Sequence, residues 1–404
     1  MAAPAEAVRR GAVPRYIPLL LVSVTSAVIL STDLYTPSLP HLPAYFGTDA
    51  ATVQLTMSLN LAAFAFGQLV LGPLSDRVGR RPVFVVALAG FALTSIAAAL
   101  APDIDSLIVA RTLMGLATCA EAVLGYAVIN DLYDERDSAR VLSAYGMAIA
   151  ITPAVAPFIG GYVHVWFGWR ANFVLLAAIA ALVTLLVARF LPETLATRDL
   201  GALAPRRFVG GYGRLLGSRV FMGYTLTTGL LLGGLFAFVT EGPFLLIDRL
   251  GVPTERYGLY YAVMIGGYFL SSLTANRLVK RLSIDLLLGA GLAIQAASAA
   301  ALLAVVLADA VAPWTLMAPV SAFVFGIGWV FATAPVRAFG AAGSGGGHAA
   351  AMMGFVQMAG GALGAQLVGL LHDGTALPFA ATVAGSAALS LATYFPARGA
   401  PVSA

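Results

Sequence analysis

Residues Gly72 to Pro82 read GPLSDRVGRRP, with one carboxylate (Asp76) and three guanidiniums (Arg77, Arg80 and Arg81) confined to eleven positions between two long apolar segments. The rest of the chain makes that density of charge decisive. Hydrophobic residues form 60% of the 404 and charged residues only 10%, a balance foreign to soluble globular domains and suited to a chain that crosses a bilayer repeatedly. A charged hairpin between two membrane spans is the reading that fits both facts.

A helix needs about 20 apolar residues to cross ~30 Å of hydrocarbon. Proline, glycine and short charged clusters divide the chain into twelve such runs, at 16–38, 52–74, 82–101, 107–130, 139–163, 168–192, 219–247, 256–276, 284–308, 313–335, 350–372 and 376–396. The expected fold is an all-α integral membrane protein of twelve transmembrane helices in two pseudo-symmetric six-helix bundles. The bundles cover 1–192 and 219–404, and 193–218, with Pro205, Arg206 and Arg207, is a flexible cytoplasmic linker.

Lys and Arg near span ends are retained on the cytoplasmic side. With the N-terminus inside, that side collects Arg9, Arg10, Arg15, Arg77, Arg80, Arg81, Arg136, Arg140, six arginines from Arg189 to Arg219, Arg277, Lys280, Arg281, Arg337 and Arg398, nineteen of the twenty-three basic residues. The other side keeps Arg170, Arg249 and Arg256, and Arg111 falls within a span. Both termini are expected in the cytoplasm, and the +4 net charge reflects topology and an anionic inner leaflet rather than nucleic acid. The first run is of full spanning length and is expected to be retained rather than cleaved. The single cysteine, Cys119, reads as a small packing residue.

The two halves carry traces of one repeat. A shift of 200 positions sets Asp76, Arg77, Val78, Arg80 and Arg81 on Asn276, Arg277, Leu278, Lys280 and Arg281, with Gly67 on Gly267 and Pro43 on Pro243. Six-helix repeats of this kind build many secondary transporters, which bind substrate near the midplane between the repeats.

Each motif has a physical reading. In the hairpin, Asp76 exceeds what a positive-inside anchor requires: with Arg77, Arg80 and Arg81 it can bond a neighbouring helix end in one conformation and release it in another, and Gly79 permits the tight turn. In the fifth span, ITPAVAPFIGG places Pro153 and Pro157 before Gly160 and Gly161, which loosens the helix ladder and removes side-chain bulk.

Taken together, the motifs resemble the major facilitator superfamily, specifically its drug:proton antiporters of the Bcr/CflA type, the bicyclomycin, chloramphenicol and florfenicol exporters. Gly72, Leu74, Asp76, Arg77, Gly79, Arg80 and Arg81 resemble the motif between helices 2 and 3, a conformational gate. Arg111 and Gly115 resemble the arginine motif of helix 4. Pro153, Pro157, Gly160 and Gly161 resemble the antiporter motif of helix 5, with Ala156 where the family has glycine. Asp33-Leu34-Tyr35-Thr36-Pro37-Ser38-Leu39-Pro40 resembles the D-x-Y-x-P-x-x-P run that ends helix 1 in these exporters. The resemblance implies the major facilitator fold in the bacterial inner membrane. It further implies a monomer without cofactor or metal, exchanging protons for small amphipathic drug-like compounds by alternating access.

Charges within spans are the best functional candidates, because burying one without compensation costs several kcal/mol. Asp33, Arg111 and Glu121 qualify. At ~1.5 Å per residue, Asp33 lies about 12 Å below a boundary at His41, Arg111 about 9 Å below one at Asp105, and Glu121 about 15 Å deeper, near the midplane. A carboxylate balanced between desolvation and a nearby guanidinium can load and release a proton; a fixed ion pair is the plainer alternative. Glu121, a departure from the family pattern, reads as a second proton site, a counter-charge for a cationic substrate or a hydrogen-bonded acid. Glu241 reads as a structural residue at the outer boundary, and the 200-position shift sets Gly233 opposite Asp33, which leaves proton coupling to the first half.

A substrate cavity needs aromatic walls and a few polar groups. Tyr35, Glu121, Phe236, Trp329, Phe355 and Gln357 are the candidates, with Tyr260, Tyr261, Tyr268, Gln295 and Gln366 as further polar or aromatic groups of the second half. Gly354, Gly360, Gly361, Gly364 and Gly369 suit helix 11 to close packing and sliding. A nutrient symporter or uniporter, or an exporter of an endogenous metabolite or siderophore, would share the fold. An enzyme is disfavoured: His41, His164, His348 and His372 are far apart in sequence, no metal-binding or nucleophile motif occurs, and Gly343 to Gly347 reads as a flexible loop.

Overall fold

A computed structural model describes residues 13–342 and 346–398; Arg9, Arg10 and Gly343 to Gly345, and the side chains of Arg136, Arg206 and Arg207, lie outside the described residues. The twelve long helices are α1 (Ile17–Asp33), α2 (Ala50–Val78), α3 (Arg80–Ala99), α4 (Ile104–Leu132), α5 (Glu135–Phe167), α6 (Trp169–Phe190), α7 (Arg219–Pro243), α8 (Tyr257–Leu278), α9 (Ile284–Leu307), α10 (Pro313–Ala342), α11 (Gly346–Leu370) and α12 (Leu377–Arg398). Among the described residues, eleven spans reach the length and hydropathy needed to cross a membrane. The exception is α8, 22 residues long, whose tyrosines and serines lower its hydropathy and which packs against α5 of the other half.

Capping sets many of the starts. Asp49 accepts from Thr52 N at 2.7 Å, Asp103 from Ser106 N at 2.8 Å and Asp134 from Asp137 N at 2.9 Å, each satisfying a donor that the first turn leaves free. Helices overrun the apolar runs because capped, charged turns extend beyond the hydrocarbon; α2 therefore reaches Val78 where the apolar run ends at 74. After α1, Pro37 and Pro40 withdraw backbone donors. The chain tightens into a 3₁₀ segment at Thr36–His41 and a short helix at Leu42–Phe46.

The packing repeats between the halves. Within the first, α1 packs on α5 and α6, α2 on α4, and α3 on α4 and α6; within the second, α7 packs on α11 and α12, α8 on α10, and α9 on α10 and α12. Adding six to each helix number converts one set into the other. The junction obeys the same operation: α2 meets α11 and α8 meets α5. The segment between the halves is not merely a flexible strand, since Pro205–Gly217 forms a helix that packs on α7 and α11. Its Tyr212 hydroxyl donates to Leu69 O of α2 at 3.1 Å, and its ring meets His348 at 5.1 Å.

The charged hairpin is a tight, multiply bonded corner. Gly79 takes φ +120°, a left-handed conformation that favours glycine, and a Cβ there would stand 2.5 Å from Glu193 Oε2. Arg80 ties the corner together: it pairs with Asp76 at 2.7 Å and Asp131 of α4 at 3.3 Å, and its amide donates to Glu193 at 2.9 Å. Arg81 donates to Ala188 O of α6 at 2.5 Å, and Asp199 N donates to Asp76 O at 3.0 Å. Gly72 faces Val123, while Arg77 is exposed. Every one of these partners is in the first half or the linker. In the second-half copy, Arg277, Lys280 and Arg281 are exposed, and the corresponding end is held instead by Arg337, bidentate on Asp285 at 2.9 and 2.6 Å.

Arg80 is 13% exposed and Asp131 26%, so their bond is partly shielded from solvent. Asp131→Asn is expected to cost about 1 kcal/mol, allowing for that partial exposure, and to lower the thermal midpoint of detergent-solubilised protein by about 2 °C. Arg140→Gln, which removes a pair whose side chains are 78% and 53% exposed, should leave the midpoint unchanged.

Candidate transport site

Arg111 of α4 is fully buried. Its Nη1 donates to Ser31 O at 2.7 Å, and its guanidinium lies 4.3 Å from the Tyr35 ring centroid, between Met57 and Met114. The α1 helix ends at Asp33 and leaves its last carbonyls without helical donors; a cation there meets both a free acceptor and the negative end of the helix dipole. Tyr35, a candidate for the cavity wall, has this supporting place instead. It is wholly buried within the first half, bonded to Thr56 Oγ1 at 2.9 Å and packed on Phe173. Among the described residues no ion pair joins Arg111 to Asp33.

Asp33 turns toward the other half. Its Oδ1 accepts from the Tyr261 hydroxyl of α8 at 3.1 Å, and the carboxyl is buried. It thus sits at the junction, two residues from Ser31, whose carbonyl Arg111 holds. Glu121 lies entirely within the first half, bonded through Oε1 to Thr25 of α1 at 2.5 Å and to the Tyr145 hydroxyl of α5. Gly125, one turn on, leaves room for that hydroxyl; a Cβ there would stand 2.6 Å from it. Asp33, Arg111 and Glu121 are therefore all engaged along the C-terminal half of α1, at Asp33 itself, Ser31 and Thr25, with no hydrogen bond among the three.

The helix 5 motif brings backbones together on two faces. A Cβ on Gly160 would run into Leu34 O just past α1, and one on Gly161 would stand 2.7 Å from Thr254 O, just before α8. Gly258 of α8 in turn presses on the backbone of Phe158. Pro153 and Pro157 lie inside a helix that continues to Phe167, so the motif closes the arginine-poor side by removing side chains, not by breaking the helix.

The other cavity candidates divide between interior packing and the junction. Phe355 meets Phe66 of α2 at 5.3 Å across the halves, and Phe236 packs with Leu61 and Ala362. Trp329 donates to Thr274 at 2.9 Å and Gln357 to Thr228 at 3.3 Å, both within the second half. An apolar groove of about 520 Å³ runs between α2, α3 and α4 past Leu71, Val83 and Leu116. It lies on the flank of the first half, away from Asp33 and Glu121.

Several residues of the site carry no functional signal in the sequence. Tyr261 stood only among the second-half polar and aromatic groups, and Thr25 and Tyr145 carried no mark beyond being polar in an apolar span. The imidazoles of His41 and His164, 123 positions apart in sequence, stack at 4.4 Å, with His41 Nε2 3.0 Å from Thr254 of the other half. Glu241 is buried, with partners on both halves, where a boundary residue was expected.

Comparison with known proteins agrees with this architecture. The chain is 28% identical over 363 residues to a bicyclomycin resistance protein homolog of Haemophilus influenzae, covering 90% of this chain and 91% of that one. It is 33% identical over 319 residues to the multidrug transporter MdfA of Edwardsiella ictaluri, covering 77% and 76%. A solved structure of a bacterial homolog of the human lysosomal transporter Spinster, inward-facing and unoccupied, superposes with a TM-score of 0.71 at 14% identity over 95% of both chains, which speaks to the fold. Residues 21–368 match the model of the Major Facilitator Superfamily. With twelve helices in a doubled six-helix plan and relatives among drug-resistance transporters, this chain belongs to the major facilitator superfamily.

Proposed function

We propose that this protein exports small amphipathic drug-like molecules across the bacterial inner membrane in exchange for protons, as a monomer with both termini in the cytoplasm. Residues 1–192 and 219–404 act as two bodies that rock about the substrate, joined by 193–218. The observation that carries the reading is Asp33, a buried carboxyl with no ion pair among the described residues, bonded to Tyr261 of the opposite half. A buried titratable group at a moving junction links protonation to conformation, because its hydrogen bond and its solvation both change as the halves separate. Protons entering from the arginine-poor side neutralise Asp33 and favour the return to the inward-open state, while substrate entering from the arginine-rich side favours the outward-open state. Two ligands that stabilise opposite states of one bistable fold exchange for each other. The relatives named for multidrug transport and bicyclomycin resistance support the substrate class.

Reconstituted into proteoliposomes, the protein is expected to move a fluorescent cationic substrate against its gradient only while a proton gradient is maintained. Transport undiminished by a protonophore would overturn the proposal. Glu121 serves as the counter-charge for cationic substrates, with Thr25 and Tyr145 holding its carboxyl in place. In a pump-deficient bacterium, Glu121→Gln should lower resistance to cationic antibiotics about tenfold, the worth of one charge-assisted hydrogen bond, and leave resistance to neutral amphenicols unchanged. An equal loss for both classes would assign Glu121 to proton coupling or folding instead.

A further inference from the structure

We infer that Glu241 and His372, with Gln54, form a second proton-binding site where the two halves meet on the arginine-poor side, and that a proton held there latches that side shut. The site's role in a transport cycle rests on the proton-coupled reading above; the latch itself can be tested separately.

Glu241 occupies the last turn of α7, and its side chain is 2% exposed while that of His372 is 20% exposed. The carboxylate is sealed and the imidazole reaches solvent, so protons enter through His372. Both carboxylate oxygens are engaged: Oε1 lies 2.8 Å from His372 Nδ1, and Oε2 accepts from Gln54 Nε2 at 2.7 Å. His372 follows α11 and belongs to the second half, whereas Gln54 lies on α2 of the first. The bond that crosses the junction therefore depends on the charge on Glu241.

A buried carboxylate needs compensation, and among the described residues no Lys or Arg pairs with Glu241. Among the described residues the cation that pairs with it is the imidazolium of His372. The groups around it favour that charge. Asp49 caps the start of α2, Asp248 follows α7 and Asp373 adjoins His372, and all three act on the ring; Arg249 is turned away to Gly374 O at 3.2 Å. The Phe244 ring covers one edge at 5.6 Å. On the neighbouring 3₁₀ segment, His41 is committed to Thr254 and His164.

The Glu241 hydrogen bond holds the His372 imidazolium above its ordinary range, opposed by partial burial and assisted by the charges of Glu241, Asp373 and Asp248. Opening the arginine-poor side parts α2 from α7 and α11 and returns the imidazole to an ordinary value of about 6.5. A group that binds its proton more tightly in the closed state stabilises that state fully below the open-state value, and the stabilisation is lost as pH rises through the closed-state value. Acid on the arginine-poor side therefore drives closure there. In an antiporter this is the return step, so proton entry at His372 and neutralisation of Asp33 push the same way.

Spin labels at Ala44→Cys and Leu377→Cys, on opposite halves of this face, measure the latch in nanodiscs with Cys119 replaced by serine. Between about pH 6 and about pH 9, the population at long distance should rise several-fold. His372→Gln and Glu241→Gln should each abolish that response and hold the long-distance population near its alkaline level, while His372→Lys, a fixed cation over this range, should hold the short distance throughout. Asp33→Asn should keep the response. A response that survives in His372→Gln would overturn the latch, as would an open His372→Lys. Neither result would touch gradient-driven transport by the unmodified protein, and a protonophore-insensitive transporter would leave the latch titration intact.

Discussion

Asp33→Asn is expected to abolish transport driven by a pH gradient, lowering its rate about 100-fold, the upper range of a typical coupling energy, while leaving downhill exchange of substrate in place. Asparagine has the shape of aspartic acid, and its amide oxygen can still accept from Tyr261, which donates to Asp33 at 3.1 Å. The substitution thus removes the titration while retaining the contact. A rigid structural role would predict normal gradient-driven transport, and so would a proton site elsewhere. The measurement is paired: gradient-driven uptake and substrate counterflow in the same proteoliposomes. Loss of the first with retention of the second places the coupling at Asp33. Undiminished gradient-driven transport would remove Asp33 from the mechanism. Loss of both would mark a folding defect, and Asp33→Glu, which restores a titratable group, then separates misfolding from lost protonation.

Gly258→Leu is the second substitution expected to eliminate transport, for a steric reason. A Cβ at 258 would collide with the backbone of Phe158 on α5, and backbone cannot swing aside as a flexible side chain does; at Gly161, facing the other way, a Cβ would stand 2.7 Å from Thr254 O. A leucine at either position holds α5 and α8 apart on the arginine-poor side. Efflux should fall to background, with helical content and membrane yield unchanged. Thr254→Cys, 9% exposed in the closed protein, should become reactive toward a membrane-impermeant maleimide in the Gly258→Leu background. Gly146→Leu and Gly266→Leu are the controls, on the same two helices with nothing within 4 Å of the added atom; both should transport normally. A Gly258→Leu protein that transports at the normal rate would show that α5 and α8 need not close together.

The residues differ in how far they could be read before folding. Asp33, Arg111 and Glu121 stand out in sequence because charge in an apolar span needs a reason, and the helix 5 glycines because two small residues in succession serve close approach. Their partners do not stand out. Tyr261, Thr25 and Tyr145 are ordinary residues for a membrane helix, and only the packing of α8 on α5 and of α1 on α4 and α5 brings them to the carboxyls. Arg111 is the clearest case of divergence. Depth along the helix puts it level with Asp33 and suggests an ion pair, whereas the end of α1 offers a free carbonyl at Ser31, which the guanidinium takes at 2.7 Å.

By itself the sequence determined the membrane class, the twelve spans, the doubled plan and the superfamily, because hydropathy, positive charge and short-range motifs are properties of consecutive residues. It also marked the hairpin at Gly72 to Pro82 as the corner that identifies the fold. Only the tertiary structure decided what that corner holds: Arg80 ties α2 and α3 to Asp131 of α4 and to the linker at Glu193. It likewise decided that Glu241 is buried between Gln54 and His372, 187 and 131 positions away in sequence. The physical reason is the same throughout. A helix declares its own burial and its charges by local pattern, but a hydrogen bond between helices depends on which faces are turned together, and that is set by the packing of the whole bundle.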